Sequence, residues 1–201
     1  MLNKLRNTSK NSFVKITLGS LLTVLILSFA MWGTEDLIGA TNKQNTVASV
    51  GNINAGHSER RIYCKETDAE VLKKALISFK HNISPIICIG ESLEIRKKNE
   101  YLSFLSSQII NSIPDVSNDL LIAYEPVWSI GTGVIPKSSE LLKTIDFIKD
   151  KARNNKVLYG GSVNPKNIRE LKLIKNIDGF LIGGASQEAK KFIDIIKKTY
   201  N

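Results

Sequence analysis

Cysteine is nearly missing from this chain: 201 residues carry two, Cys64 and Cys88. They stand in unrelated contexts, without CxxC or metal-ligand spacing, so neither a disulfide framework nor a metal site is expected. Both read as small buried hydrophobes, and the lack of disulfides leans toward a reducing compartment. Acid is missing from the first fifteen residues, where Lys4, Arg6, Lys10 and Lys15 are the charges. Charge of either sign is missing from Ile16 to Trp32, "ITLGSLLTVLILSFAMW". Also absent is any run of lysines interleaved with aromatics, although the formal charge is +9. The lysines scatter along prospective helices, so no nucleic-acid partner is expected. With 42% hydrophobic and 23% charged residues, the composition supports a globular core.

What stands at the N-terminus is a basic head, an uncharged apolar run and an acidic exit at Glu35 and Asp36. That order predicts a basic cytoplasmic tail over 1–15 and a single membrane-spanning signal-anchor helix over 16–32, N-terminus inside. The run lies at the short end for a span, and Ile38-Gly39-Ala40 leaves a cleaved signal as the alternative. A polar linker follows over 33–54, with one β-like run, Val47-Ala48-Ser49-Val50. With its basic tail, apolar run and "VA-x-VG", the segment 1–54 resembles the N-terminus of membrane-anchored periplasmic peptidyl-prolyl isomerase-type chaperones of the PpiD kind.

A buried strand is missing just where one is expected. "VGNINA" precedes the charged block "GHSERR" at His57, yet two Asn and a Gly replace the Val/Ile/Leu run of a doubly covered strand. Downstream the pattern changes. Apolar runs at "SPIICIG" (84–90), "LLIAYEP" (120–126), "KVLYGG" (156–161) and "GFLIGG" (179–184) read as strands. Amphipathic helices are predicted over 68–80, 94–111, 138–154, 165–175 and 188–199. Ser138-Ser139-Glu140 reads as a capped start, and Asn164-Pro165 places Pro at a first helical position. Strands without polar alternation between helices predict an α/β fold with a parallel sheet.

In such folds chemistry gathers at the C-terminal strand ends, here Gly90-Glu91, Glu125-Pro126, Gly160-Gly161-Ser162 and Gly183-Gly184. Glu125 closes an apolar strand between Tyr124 and Pro126, so desolvation would raise its pKa toward that of a useful base. The alternative is an ion pair with a nearby Lys or Arg. Two successive Gly-Gly turns suit a phosphate, since backbone N–H groups can approach an anion there. The segment "PVWSIGTGVIP", between Pro126 and Pro136, has the build of a rigid lid with Trp128 and Ile130 at its tip.

"GHSERR", "CIGE", "AYEPVWSIGTG", "YGGSV" and "DGFLIGGAS", in this order, resemble the triosephosphate isomerases from about Gly56 onward. The resemblance implies an incomplete TIM (β/α)8 barrel, the last four to five βα units over 55–201, behind the N-terminal transmembrane helix. It implies a triose-phosphate substrate, with dihydroxyacetone phosphate and glyceraldehyde 3-phosphate interconverted through an enediolate, and no cofactor. Glu125 would be the base and His57 the neutral electrophile. Gly131, Ser162, Gly183 and Gly184 would bind phosphate, and Glu59 and Glu91 would be supporting charges. The lid would include Pro126, Val127, Trp128, Ile130, Thr132 and Gly133, with Val134-Ile135-Pro136 altering its second hinge. Cys88 would be structural. The first three βα units, and the lysine of an Asn-x-Lys at the first strand's end, have no counterpart. Two readings follow: an isomerase, or an inactive membrane-tethered fusion or remnant. The resemblance also implies a homodimer, through a loop of the absent third unit, and a cytoplasmic location as the alternative to the membrane.

Overall fold

The computed structural model describes residues 52–115, 120–153 and 155–200. The expected cytoplasmic tail, the span at 16–32 and nearly all of the linker lie outside these residues. Among the described residues, no helix is long and apolar enough to cross a membrane.

Five parallel strands form one sheet in chain order: β1 (Asn52–Ala55), β2 (Ser84–Ile89), β3 (Leu121–Tyr124), β4 (Lys156–Tyr159) and β5 (Gly179–Phe180). The register is continuous, with Ala55 opposite Ile87, Ile87 opposite Ile122, Ile122 opposite Val157, and Tyr159 opposite Phe180. The helices are α1 (Ser58–Tyr63), α2 (Asp68–Lys80), α3 (Leu93–Lys97), α4 (Tyr101–Ser112), α5 (Ser138–Lys151), α6 (Ile168–Leu171) and α7 (Ala189–Tyr200). Short 3₁₀ turns occupy Val127–Ser129 and Gly184–Gln187.

The strand period of two sorts the apolar residues. Ile87, Ile89, Ile122, Tyr124, Val157 and Tyr159 point to one face, where they pack with Val71, Ala75, Leu105, Leu141, Ile145 and Ile195 from the helices. Ile86, Cys88 and Ala123 point to the other, with Leu121, Leu158 and Leu181 beside them. Both faces are therefore apolar, as the unalternating runs predicted.

Four expectations need correction. Within "VGNINA", Asn52 to Ala55 do form a strand, pairing in parallel with Ser84 to Ile87. At a sheet edge one side of the strand faces no neighbour, so Ile53 and Asn54 stay exposed and an apolar run is unnecessary. The helix predicted over 94–111 is two helices, because Asn99 adopts φ 59°. The helix over 165–175 shrinks to Ile168–Leu171. Asn164 and Asn167 cap a preceding turn through their own side chains, so Pro165 is not the first helical residue. Ser138 lies inside α5 rather than capping it, and its hydroxyl donates to Glu170 instead. By contrast, α2 matches its predicted bounds, fixed by a reciprocal Thr67–Glu70 capping box.

Candidate active site

The C-terminal ends of β1, β2, β3 and β4 bring the singled-out residues together. After Ala55 the chain turns through Gly56, at φ 77°, and His57 becomes the N-cap of α1. His57 Nδ1 accepts the Glu59 amide at 3.3 Å. A nitrogen that accepts carries no proton, so the proton of a neutral ring sits on Nε2. Nε2 faces Glu125 Oε1 at 3.4 Å. The other oxygen of that carboxylate accepts the Ser58 amide at 3.1 Å.

Glu125 is 2% exposed. Burial pushes its pKa up, against the opposing pull of His57, the Ser58 amide, Cys88 and Arg61. It enters no ion pair with a lysine or arginine among the described residues. Two glycines make room for it. A Cβ on Gly90 would lie 1.8 Å from the Glu125 carbonyl oxygen, and one on Gly160 would lie 2.9 Å from Glu125 Cγ. The Gly160 amide itself donates to Tyr124 O at 2.8 Å, so this residue of the pair serves close packing.

Glu91, fully buried, accepts Tyr124 Oη at 3.1 Å and Trp128 Nε1 at 3.1 Å, with Arg96 at 3.5 Å. Burial raises its pKa as well. The Val127 amide donates to the Glu91 carbonyl at 3.0 Å, so this one residue holds the first turn after Pro126 by both main chain and side chain. The far side of the loop over 126–136 rests on Ser162, whose hydroxyl donates to Ser129 O at 2.7 Å and accepts the Gly133 amide at 3.0 Å. Gly131 and Gly133 turn at φ 68° and 78°. Thr132 folds back on the Trp128 and Ser129 carbonyls at 3.2 Å each.

Other expected members stand apart. Glu59 is exposed, and only its backbone amide reaches His57. Gly183 and Gly184 are exposed, and neither amide donates a hydrogen bond to another described residue. Ile130 is partly buried and Pro126 buried. The described residues hold no cluster of His, Cys, Asp and Glu arranged for a metal ion.

Sequence reasoning missed Ser129 and Tyr159. The fully buried Ser129 hydroxyl donates to Val134 O at 2.6 Å, lies 3.0 Å from Tyr159 Oη, and accepts the Ser162 amide at 3.3 Å. Burial raises the Tyr159 pKa to about 12. A small polar residue inside "VWSIG" carries no signal of its own. Its role emerges only when β4 is placed beside β3.

A family model described as triosephosphate isomerase matches residues 44–199. The triosephosphate isomerase of Thermodesulfovibrio yellowstonii is 40% identical over 152 residues, 71% of this chain and 62% of that one. That of Lactiplantibacillus plantarum is 42% identical over 159 residues, 73% and 63%. The crystal structure of triosephosphate isomerase from Bartonella henselae superposes with a TM-score of 0.68 at 35% identity, covering 75% of this chain and 65% of that one. The chain thus spans a little under two thirds of each of these relatives.

Proposed function

The chain belongs to the triosephosphate isomerase family, and from that premise we propose that its site interconverts dihydroxyacetone phosphate and glyceraldehyde 3-phosphate. In this reading the Glu125 carboxylate takes a proton from the carbon beside the substrate carbonyl. The C–H electrons move into the carbon skeleton, and the carbonyl oxygen gains negative charge. His57 Nε2–H gives its proton to that oxygen and takes back the proton of the hydroxyl on the carbon that lost its hydrogen, so that this second oxygen becomes the new carbonyl. Glu125, now protonated, returns its proton to the neighbouring carbon, and the aldose and ketose are exchanged. The chemistry calls on no cofactor.

One observation carries the reading: His57 Nε2 and Glu125 Oε1 face each other at 3.4 Å, while backbone amides hold the remaining atom of each group. A base needs both reach and a raised pKa, and burial supplies the second. Ser162 and the free amides of Gly183, Gly184 and Gly131 are the proposed phosphate donors. Pro126 to Gly133 is the proposed lid, with Glu91 as its buried anchor and Glu59 as a remote charge.

A second reading, an inactive remnant, is favoured by a different observation. No lysine among the described residues bonds to His57, Glu125 or Ser162, and removing one preorganised electrostatic group costs about 10²–10³ in rate. Turnover by the full chain, abolished in Glu125→Gln, supports the first reading. Turnover equal to that of Glu125→Gln supports the second. The incomplete barrel, the family's homodimer and the signal-anchor at 16–32 belong to the same proposal. The uncharged run behind four basic residues supports the anchor, and a reporter fused after Asn54 that is active only in the cytoplasm would overturn it.

A further inference from the structure

The turn at Gly56 that precedes His57 is clamped by charged side chains, Arg60 and Arg61 from within "GHSERR" and Glu66 from outside the five motifs. Glu66 lies in the loop between α1 and α2, and its carboxylate is almost wholly buried. It accepts the Gly56 amide at 3.0 Å, Arg60 Nε at 3.0 Å, and Lys74 Nζ from α2. On the other side of the same residue, Arg61 Nε donates to the Gly56 carbonyl at 2.7 Å. A second arm of Arg61 reaches the Cys88 carbonyl at 3.2 Å, and a third pairs with Asp68 at 2.5 Å. Gly56 has no room for a side chain, since a Cβ would meet Arg61 at 2.8 Å and Cys88 O at 3.0 Å.

We propose that Glu66 is a positioning residue for His57: bonded to Arg60 and Lys74, it fixes the Gly56 amide and so sets the ring's single tautomer and its distance to Glu125. The chain of contacts is short. Gly56 precedes His57 directly, and the Glu59 amide that selects the tautomer lies one turn further on. A carboxylate accepts four or more hydrogen bonds, and three donors converge on this one. A carboxamide cannot balance two cations, so its oxygen would not stay on Gly56.

The role deepens the isomerase reading but is tested without it. The chain has two histidines, His57 and His81, and the second lies exposed at the end of α2, so ¹⁵N imidazole spectra contain two rings. In the full chain the His57 ring should show one bare Nδ1 and one protonated Nε2. In Glu66→Gln that pattern should give way to a mixture of tautomers, with His81 unchanged. A purely structural Glu66 would leave a folded variant's ring in its single tautomer, and that result overturns the proposal, as does a mixture in the unaltered chain. Should Glu66→Gln not fold, Glu66→Asp keeps the charge but withdraws the carboxylate by one methylene, and the same mixture is expected. Where turnover is measurable, kcat should fall by up to about 10²-fold with KM unchanged, the signature of a displaced group. Absence of turnover in the unaltered chain would count against the isomerase reading alone, since the spectra still decide the role of Glu66.

Discussion

Glu125 concentrates the residue-scale argument. Its folded-state pKa lies above the ordinary 4.5 because burial opposes its charge. The sign for stability follows from which state holds the proton more tightly. Here it is the folded state, so stability falls as pH rises from 4.5 through the raised value, and the ionised form is the strained one. Glu125→Gln should therefore melt higher than the unaltered chain at pH 7, with the gap closing below pH 4.5, while losing all turnover. Thermal melts at the two pH values check the first half. The rate of the unaltered chain should fall on its acid side above pH 4.5. Glu125 stands out in the sequence because a carboxylate ending an apolar run contradicts its surroundings, whereas His57 stands out only through the resemblance carried by "GHSERR"; the fold brings the two side chains to 3.4 Å. Glu66 was not legible, since a charged residue in "CKETD" looks like any solvated loop until Gly56 is folded against it.

Elements were legible in proportion to how local their causes are. The α2 helix follows from its own capping box and apolar spacing, and its bounds were readable. The break at Asn99 depends on a single left-handed residue that the apolar period hides. The edge strand β1 was hidden for the opposite reason, because pairing with β2 stabilises a segment whose composition argues against a strand. The proposed lid is an element of a third kind: two prolines bracket it in the sequence, while its contacts to Glu91 and Ser162 come from other strand ends. Ser129→Ala would remove a hydroxyl shared by Val134 O, Tyr159 Oη and the Ser162 amide. Losing the buried bond to Tyr159 Oη together with the part-buried ones to Val134 O and the Ser162 amide should cost about 1–3 kcal/mol in denaturant unfolding. It should also speed amide exchange over 127–134. Unchanged stability with unchanged exchange would show that Ser129 is not the lid's anchor.

At the scale of the whole sheet, support is uneven. The strands β2, β3 and β4 are paired on both sides and covered by helices, whereas among the described residues β1 has one neighbour and β5 pairs through two residues. Beside β5 lies a cavity of about 560 Å³, lined by Phe180, Ile182, Phe192 and Ile196. Amides of β2 and β3 should exchange slowest, and those of β5 and α7 should exchange by local opening at much lower cost. Uniform protection across all five strands would contradict this gradient. The site straddles the same division. His57 follows an edge strand and Glu125 follows a central one, while Gly183 and Gly184 follow the weakest. The proposed proton abstraction therefore rests on firmer ground than the proposed phosphate capture, and the two are separable by experiment. The direct measurement is proton exchange: the full chain incubated with dihydroxyacetone phosphate in D₂O and followed by ¹H NMR. Deuterium should enter at the carbon beside the carbonyl and glyceraldehyde 3-phosphate should form, with both lost in Glu125→Gln. Deuterium uptake no faster than with Glu125→Gln would contradict this.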